Sequence, residues 1–146
     1  MQTFLPYPDF KESARSLDYR RLGKQRVEVL QLLNSFYKPD YKGWKNHPCR
    51  EMWRDYPQAL VQYGLVICKE WISRGYKDTC YGKINAYSTN STFYAMPNWV
   101  GREDIHLSHK SRLIQKYPEH YRPQWPDVPD SLEYVWPVPL KGDLAK

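Results

Sequence analysis

Three stretches of the chain repeat their apolar residues at a spacing near 3.6, and no stretch alternates them with a period of two. A chain patterned this way can bury its apolar surface only as packed helices. The clearest stretch is DYPQALVQYGLVICKEWISRGY (55–76), with Asp55 as its expected cap and Pro57 in its first turn. Ala59, Leu60, Tyr63, Ile67, Trp71 and Ile72 form its apolar face, and Gly75 stops it. A second helix, from residue 17 or so to Tyr37, follows a short segment opened by Asp9 with Glu12 three residues on, the spacing of a capping box. A third covers REDIHLSHKSRLIQKY (102–117), with Ile105, Leu113 and Ile114 inward. Residues 38–48 read as a loop, and Asn46 or His47 opens a short helix with Pro48 in its first turn. Residues 81–101 read as a long polar loop. The expectation is an all-α fold: one small domain over 1–146, three main helices, long loops and a Pro-rich tail wrapping the surface.

The second helix poses a question. With Leu22 at zero and ~100° per residue, Val29, Leu33 and Phe36 fall within ~40° of it, and so do Asp18 and Arg26. Two charges therefore lie in line with the leucines that should be buried. Around them stand Arg20, Arg21 and Lys24, with Gly23 removing a side chain as where a phosphate backbone comes close. Arg21, Gln25 and Glu28 lie along one line of the helix. A carboxylate beside arginines stays ionised and suits acid/base or cation-stabilising work, although an intrahelical ion pair uses the same residues.

Composition narrows the partner. Lys and Arg number 22 against 16 Asp and Glu, a net charge of +6, and the aromatic residues are 13 Tyr and 6 Trp against 4 Phe. Cations interleaved with amphipathic rings fit an anionic, base-bearing partner, so double-stranded DNA is the expected one. Trp44, Lys45 and His47 repeat that interleaving, as do His106, His109, Lys110 and Arg112. Two histidines at i and i+3 bring zinc to mind, but no H-E-x-x-H or C-x-x-C accompanies them, and neither metal nor cofactor is expected. No apolar run approaches a membrane span and no signal peptide opens the chain. Cys49, Cys68 and Cys80 lack paired spacing and read as reduced thiols. The expectation is a monomer in the cytoplasm of a bacterial or phage-infected cell.

LDYRRLGKQRVE, NHPCREMWRDYPQALVQYGLVICKEWISRGY and IHLSHKSRLIQKYPEHYRP, in that order, resemble the pyrimidine-dimer DNA glycosylase/AP lyase family first described from bacteriophage. The resemblance implies an all-α, metal-independent enzyme. Its nucleophile is the N-terminal α-amine, which attacks C1′ of the damaged nucleotide, releases the base as a Schiff base forms, and breaks the strand by β-elimination. A glutamate on the first long helix stabilises the sugar cation, and the duplex is kinked with a base flipped out. By that resemblance Met1, Glu28, Asp18 and Arg21 are the catalytic candidates. Gln2, Arg20, Lys24, Gln25, Arg26, Trp44, Lys45, His47, His106, His109, Lys110 and Arg112 are the candidate DNA contacts. Gln2 is too large for efficient methionine removal, so Met1 is expected to supply the amine. An α-amine, with an ordinary pKa of ~7.7–8.0, is neutral at pH 7 far more often than a lysine of ~10.4.

Two departures stand out. Arg21 occupies the place of the family's glutamate, which leaves Glu28 or Asp18 as its substitute, and Gln2 replaces a basic residue. Three readings follow: a lyase acting on pyrimidine dimers, an inert DNA-binding domain of the same fold, or a glycosylase for another modified base.

Overall fold

A computed structural model describes residues 1–43, 47–91 and 93–137. Seven helices and no strand are found among them: α1 (Phe10–Ser16), α2 (Tyr19–Tyr37), α3 (Pro48–Trp53), α4 (Pro57–Ser73), α5 (Tyr81–Asn85), α6 (Glu103–Lys116) and α7 (Pro118–Tyr121). The all-α expectation holds. Helix α4 is central, packing against α1, α2 and α5, while α7 folds back on α6.

Local signals explain most boundaries. Asp9 accepts the Glu12 N–H at 3.0 Å and starts α1; His47 Nδ1 accepts the Cys49 N–H at 3.1 Å and starts α3. Gly75, at φ +94°, ends the α4 region in a conformation that costs a glycine nothing. Other expectations need correcting. The residue before α4 is Tyr56 rather than Asp55, because Pro57 is already helical. The expected loop over 81–101 begins with α5, whose first N–H groups include that of Tyr81, bonded to Asp78 at 2.7 Å. Ile72 is exposed, and the inner face of α4 uses Val61, Gly64 and Cys68 beside Ala59, Leu60, Tyr63 and Ile67.

Glycines set the helix spacing. A Cβ on Gly64 would stand 2.6 Å from Val29 Cγ1, so α2 and α4 touch there at backbone distance. A Cβ on Gly23 would lie 2.9 Å from the Trp71 ring. Gly23 therefore makes room for an indole, not for a phosphate, and α2 runs through it without a break.

The feature that governs the site is the N-terminal segment, which threads through the core without regular secondary structure. Thr3 and Leu5 are fully buried and Phe4 nearly so. Such a segment must find partners for its peptide groups, since an unpaired buried one costs ~1–3 kcal/mol. Phe4 N–H donates to Gln25 Oε1 (3.0 Å) and Phe4 C=O accepts from Tyr63 Oη (2.6 Å). Leu5 N–H donates to His109 Nδ1 (3.0 Å), and Leu5 C=O lies 2.7 Å from His106 Nδ1. Gln2 C=O accepts from Gln25 Nε2 (2.7 Å), and Thr3 Oγ1 accepts from Trp53 Nε1 (2.7 Å). Side chains from α2, α3, α4 and α6 thus fix the N-terminus to the helical frame.

Candidate active site

Where that segment emerges, it lines a cavity of about 340 Å³ with α2, the end of α6 and the C-terminal tail. At ~100° per residue, Gln25, Arg21, Glu28, Lys24 and Arg20 fill one continuous arc of about 140° on α2, and all five line the cavity with Met1 and Gln2. The remaining wall comes from Phe4, Lys116 and Tyr134. Its size suits a small ligand or an extruded nucleotide.

Among the described residues that line it, Glu28 is the one acidic group. The side chain is buried, and its oxygens lie 3.2 Å from Gln25 Nε2 and 3.7 Å from Lys24 Nζ. Burial pushes its carboxyl above the ordinary value. Lys24, the N-terminal amine and a hydrogen bond from the Gln2 backbone oppose that rise without cancelling it. A carboxylate so placed is a stronger base than one in water, and it lies within electrostatic reach of the terminal amine. Opposite it, Lys116 is held below the ordinary lysine value, first by partial burial and then by repulsion from Arg21, Arg112 and Lys24. Four cations (Arg20, Arg21, Lys24 and Lys116) and one carboxylate therefore share a space open to solvent.

Asp18, the alternative carboxylate, faces elsewhere. Its side chain is bonded by the Tyr121 hydroxyl and by Arg21 Nη1 at 3.3 Å, and it makes no capping bond to α2. Its contribution to the site is indirect, through the Arg21 guanidinium that it anchors. Arg26 likewise leaves the cavity: it pairs with Asp78 at 2.6 Å, stacks 4.4 Å over Trp71, and is only 12% exposed. The two charges aligned with the leucines are thus buried partners of other elements, and the cavity uses the neighbouring arc of α2.

Several expected DNA contacts are structural in this frame. Gln25 is buried and spends its carboxamide on the N-terminal segment. His106 and His109 are buried around the Leu5 peptide. His106 also accepts the Gly101 N–H at 2.9 Å, and burial lowers both rings, His109 to about 3. Lys110 stacks over Tyr7 at 4.6 Å, and Arg112 over Tyr134 at 4.9 Å. His47 sits at the head of α3, its ring lowered by burial and by the charge of the N-terminal amine. Trp44 and Lys45 lie outside the described residues.

Lys116 and Tyr134 had not been singled out. Lys116 follows Arg112 by one helical turn, a signal present in the sequence. Tyr134 sits in a tail without periodicity. The tail is fastened by two buried serines of α6: Ser111 Oγ accepts the Leu132 N–H at 3.0 Å and Ser108 Oγ the Val135 N–H at 3.1 Å. Between those two bonds Tyr134 reaches the cavity, against Phe4 and His109.

A helical frame that threads its own N-terminus through the core, and opens it onto a cavity lined by cationic side chains and a buried carboxylate, defines a class of small all-α proteins. Residues 1–82 match the family model described as pyrimidine dimer DNA glycosylase, and the chain belongs to that family. The family's description makes DNA its substrate. No curated protein and no solved structure matches the chain. Among the described residues no helix is long and apolar enough to cross a membrane.

Proposed function

We propose that this chain is a DNA glycosylase with AP lyase activity, acting on pyrimidine dimers in duplex DNA through the α-amine of Met1. The observation that carries the reading is Glu28, a buried carboxylate within electrostatic reach of the N-terminal amine in a cavity lined by four cationic side chains. In the first step the neutral amine attacks C1′ of the damaged nucleotide. The C1′–N bond to the protein forms, and the bond to the base breaks with its electron pair leaving on the base. Glu28 balances the positive charge that develops on the sugar and accepts the proton the amine sheds. Ring opening gives the iminium, a proton is lost from C2′, and the 3′ phosphate leaves with the C–O electrons. Water then hydrolyses the imine and frees Met1.

Arg20, Arg21, Lys24 and Lys116 bind the phosphates on either side of the extruded nucleotide. Arg21 is aimed by Asp18, so the residue at the family's glutamate position serves as a phosphate clamp, and Glu28 supplies the carboxylate from two turns further along α2. This favours an enzyme over the inert DNA-binding reading. The test is borohydride trapping with an abasic-site duplex, followed by peptide mapping and by cleavage assays on UV-irradiated duplex. The expected adduct lies on Met1, and an uncleaved N-terminal extension abolishes it. An extended protein that traps and cleaves as well as the native one refutes the mechanism.

A further inference from the structure

Gln2 stands apart from the other groups around the cavity. Its backbone is pinned on both sides: the peptide N–H donates to Glu28, and the carbonyl accepts from Gln25 Nε2 at 2.7 Å. Its side chain is the opposite. The residue is 3% exposed and lines the cavity, yet neither Oε1 nor Nε2 of the buried carboxamide has a hydrogen-bond partner. Among the described residues Arg26, His109 and Arg112 also hold one buried atom without a partner, but each uses another atom on Asp78, Leu5 or Gln115. A carboxamide that is buried and wholly unpaired lowers the stability of a fold, and an apolar side chain of that size would not. A polar group kept against that cost marks a place where function overrides packing.

We propose that the Gln2 carboxamide binds the ring-opened sugar of the covalent intermediate, its Oε1 accepting from the O4′ hydroxyl and its Nε2 donating to the 3′ phosphate. The inference rests on the reading of the chain as a lyase that works through Met1. The amine that takes C1′ belongs to the residue before Gln2, so the new bond itself delivers the sugar to this wall of the cavity. Once the amine has passed a proton to Glu28, its nitrogen lone pair forms the C1′=N bond and the C1′–O4′ bond breaks. The electron pair of that bond stays on O4′, which takes the proton back from Glu28. In the closed ring O4′ is an ether and only accepts. In the open chain it is a hydroxyl and donates, while the phosphate oxygens on the neighbouring carbon still accept. A carboxamide offers the complementary pair, one acceptor beside one donor. Turning towards that pair costs Gln2 no hydrogen bond, since its side chain has none in the free protein. The cations around the cavity bind phosphate in either form of the sugar; Gln2 adds a contact that only the open form completes.

The experiment compares two duplexes that cannot form the imine. One carries a tetrahydrofuran abasic site, its ring closed; the other carries a borohydride-reduced abasic site, its chain open and its O4′ hydroxyl free. The native protein is expected to bind the open form about tenfold more tightly. Gln2→Met keeps the volume and, as another large second residue, keeps Met1. It should lose the preference, bind the closed form as the native protein does, and melt no lower. A purely structural carboxamide predicts the reverse, a lower Tm and equal losses on both duplexes. Equal affinities of the native protein for the two duplexes, a preference that survives in Gln2→Met, or a Tm several degrees lower in that variant overturns the proposal. Borohydride trapping of the native protein on an aldehydic abasic duplex separates the two readings. Trapping without a preference for the open form sinks the Gln2 contact alone; neither trapping nor binding sinks it together with the proposed function.

Discussion

The structure makes Gln25 the fastening of the N-terminal segment, and Gln25→Met tests that assignment. The carboxamide makes four hydrogen bonds: from Phe4 N–H and Tyr63 Oη to Oε1, and from Nε2 to Gln2 C=O and Glu28. Tyr63 keeps its second partner, the Phe4 carbonyl, in the variant. Phe4 N–H and Gln2 C=O have none in reserve among the described residues. Two buried peptide groups left unpaired cost ~1–3 kcal/mol each, so the loss is about 2–6 kcal/mol, with methionine preserving most of the volume. For a domain of this size that corresponds to a Tm lower by roughly 6–20 °C. The second consequence is catalytic. With its anchors gone the first four residues move relative to Glu28, and trapping should slow by more than the unfolded fraction explains. Thermal melts and single-turnover trapping at a temperature where the variant is fully folded measure the two effects separately. A variant that melts within a degree or two of the native protein and traps at the native rate refutes the argument.

Further outcomes follow from the same geometry. Glu28→Gln should cut strand cleavage by orders of magnitude without lowering Tm near neutral pH. Burial raises its carboxyl in the folded state, so the ionised group costs stability above the ordinary glutamate range, and the amide removes that cost. His109, lowered to about 3 from 6.5, is neutral when folded and takes up a proton on unfolding in acid. Its contribution is complete above 6.5 and lost as pH falls towards 3, at up to ~1.4 kcal/mol per unit; denaturant titrations of His109→Gln should show a shallower acid slope. Duplex affinity should fall with salt at a log–log slope of roughly −4, one unit of which disappears in Lys24→Ala. Arg26→Ala should leave that slope intact and instead cost about 3 kcal/mol of stability, since it removes the counter-charge of the Asp78 carboxylate.

The sequence carried the helical frame because its signals are local. Asp9, His47, Pro57 and Gly75 act within a few residues of themselves, and the apolar period of α2, α4 and α6 needs no knowledge of what lies opposite. Where the reading went astray, the deciding partner was remote. Asp55 lost its capping role to the immediate geometry of Pro57, but Gly23 could be understood only once Trp71, on another helix, was seen to fill the space beside it. Ile72 extends the pattern of α4 past the end of what packs on it.

The same distinction decides the site. Charge, and the order of three motifs, pointed to the first half of α2, and seven of the residues singled out there and at the N-terminus do line one cavity. Helical angle alone could not say which charges face it. Asp18 and Arg26 share the angle of the leucines, and what makes that tolerable is Tyr121 for one and Asp78 with Trp71 for the other, residues 103 and 52 positions away. A buried charge is stable only with such a partner, so charges on the apolar stripe signal a distant counterpart. Charges on the adjoining arc, where Arg20 and Lys24 find only neighbours on α2 and Glu28 meets the threaded N-terminus, are the ones that line the cavity. Read this way, a missing glutamate at position 21 is not a missing function. Glu28, on the same arc, is a buried carboxylate within electrostatic reach of the threaded N-terminus, which is why the proposed function gives it the role.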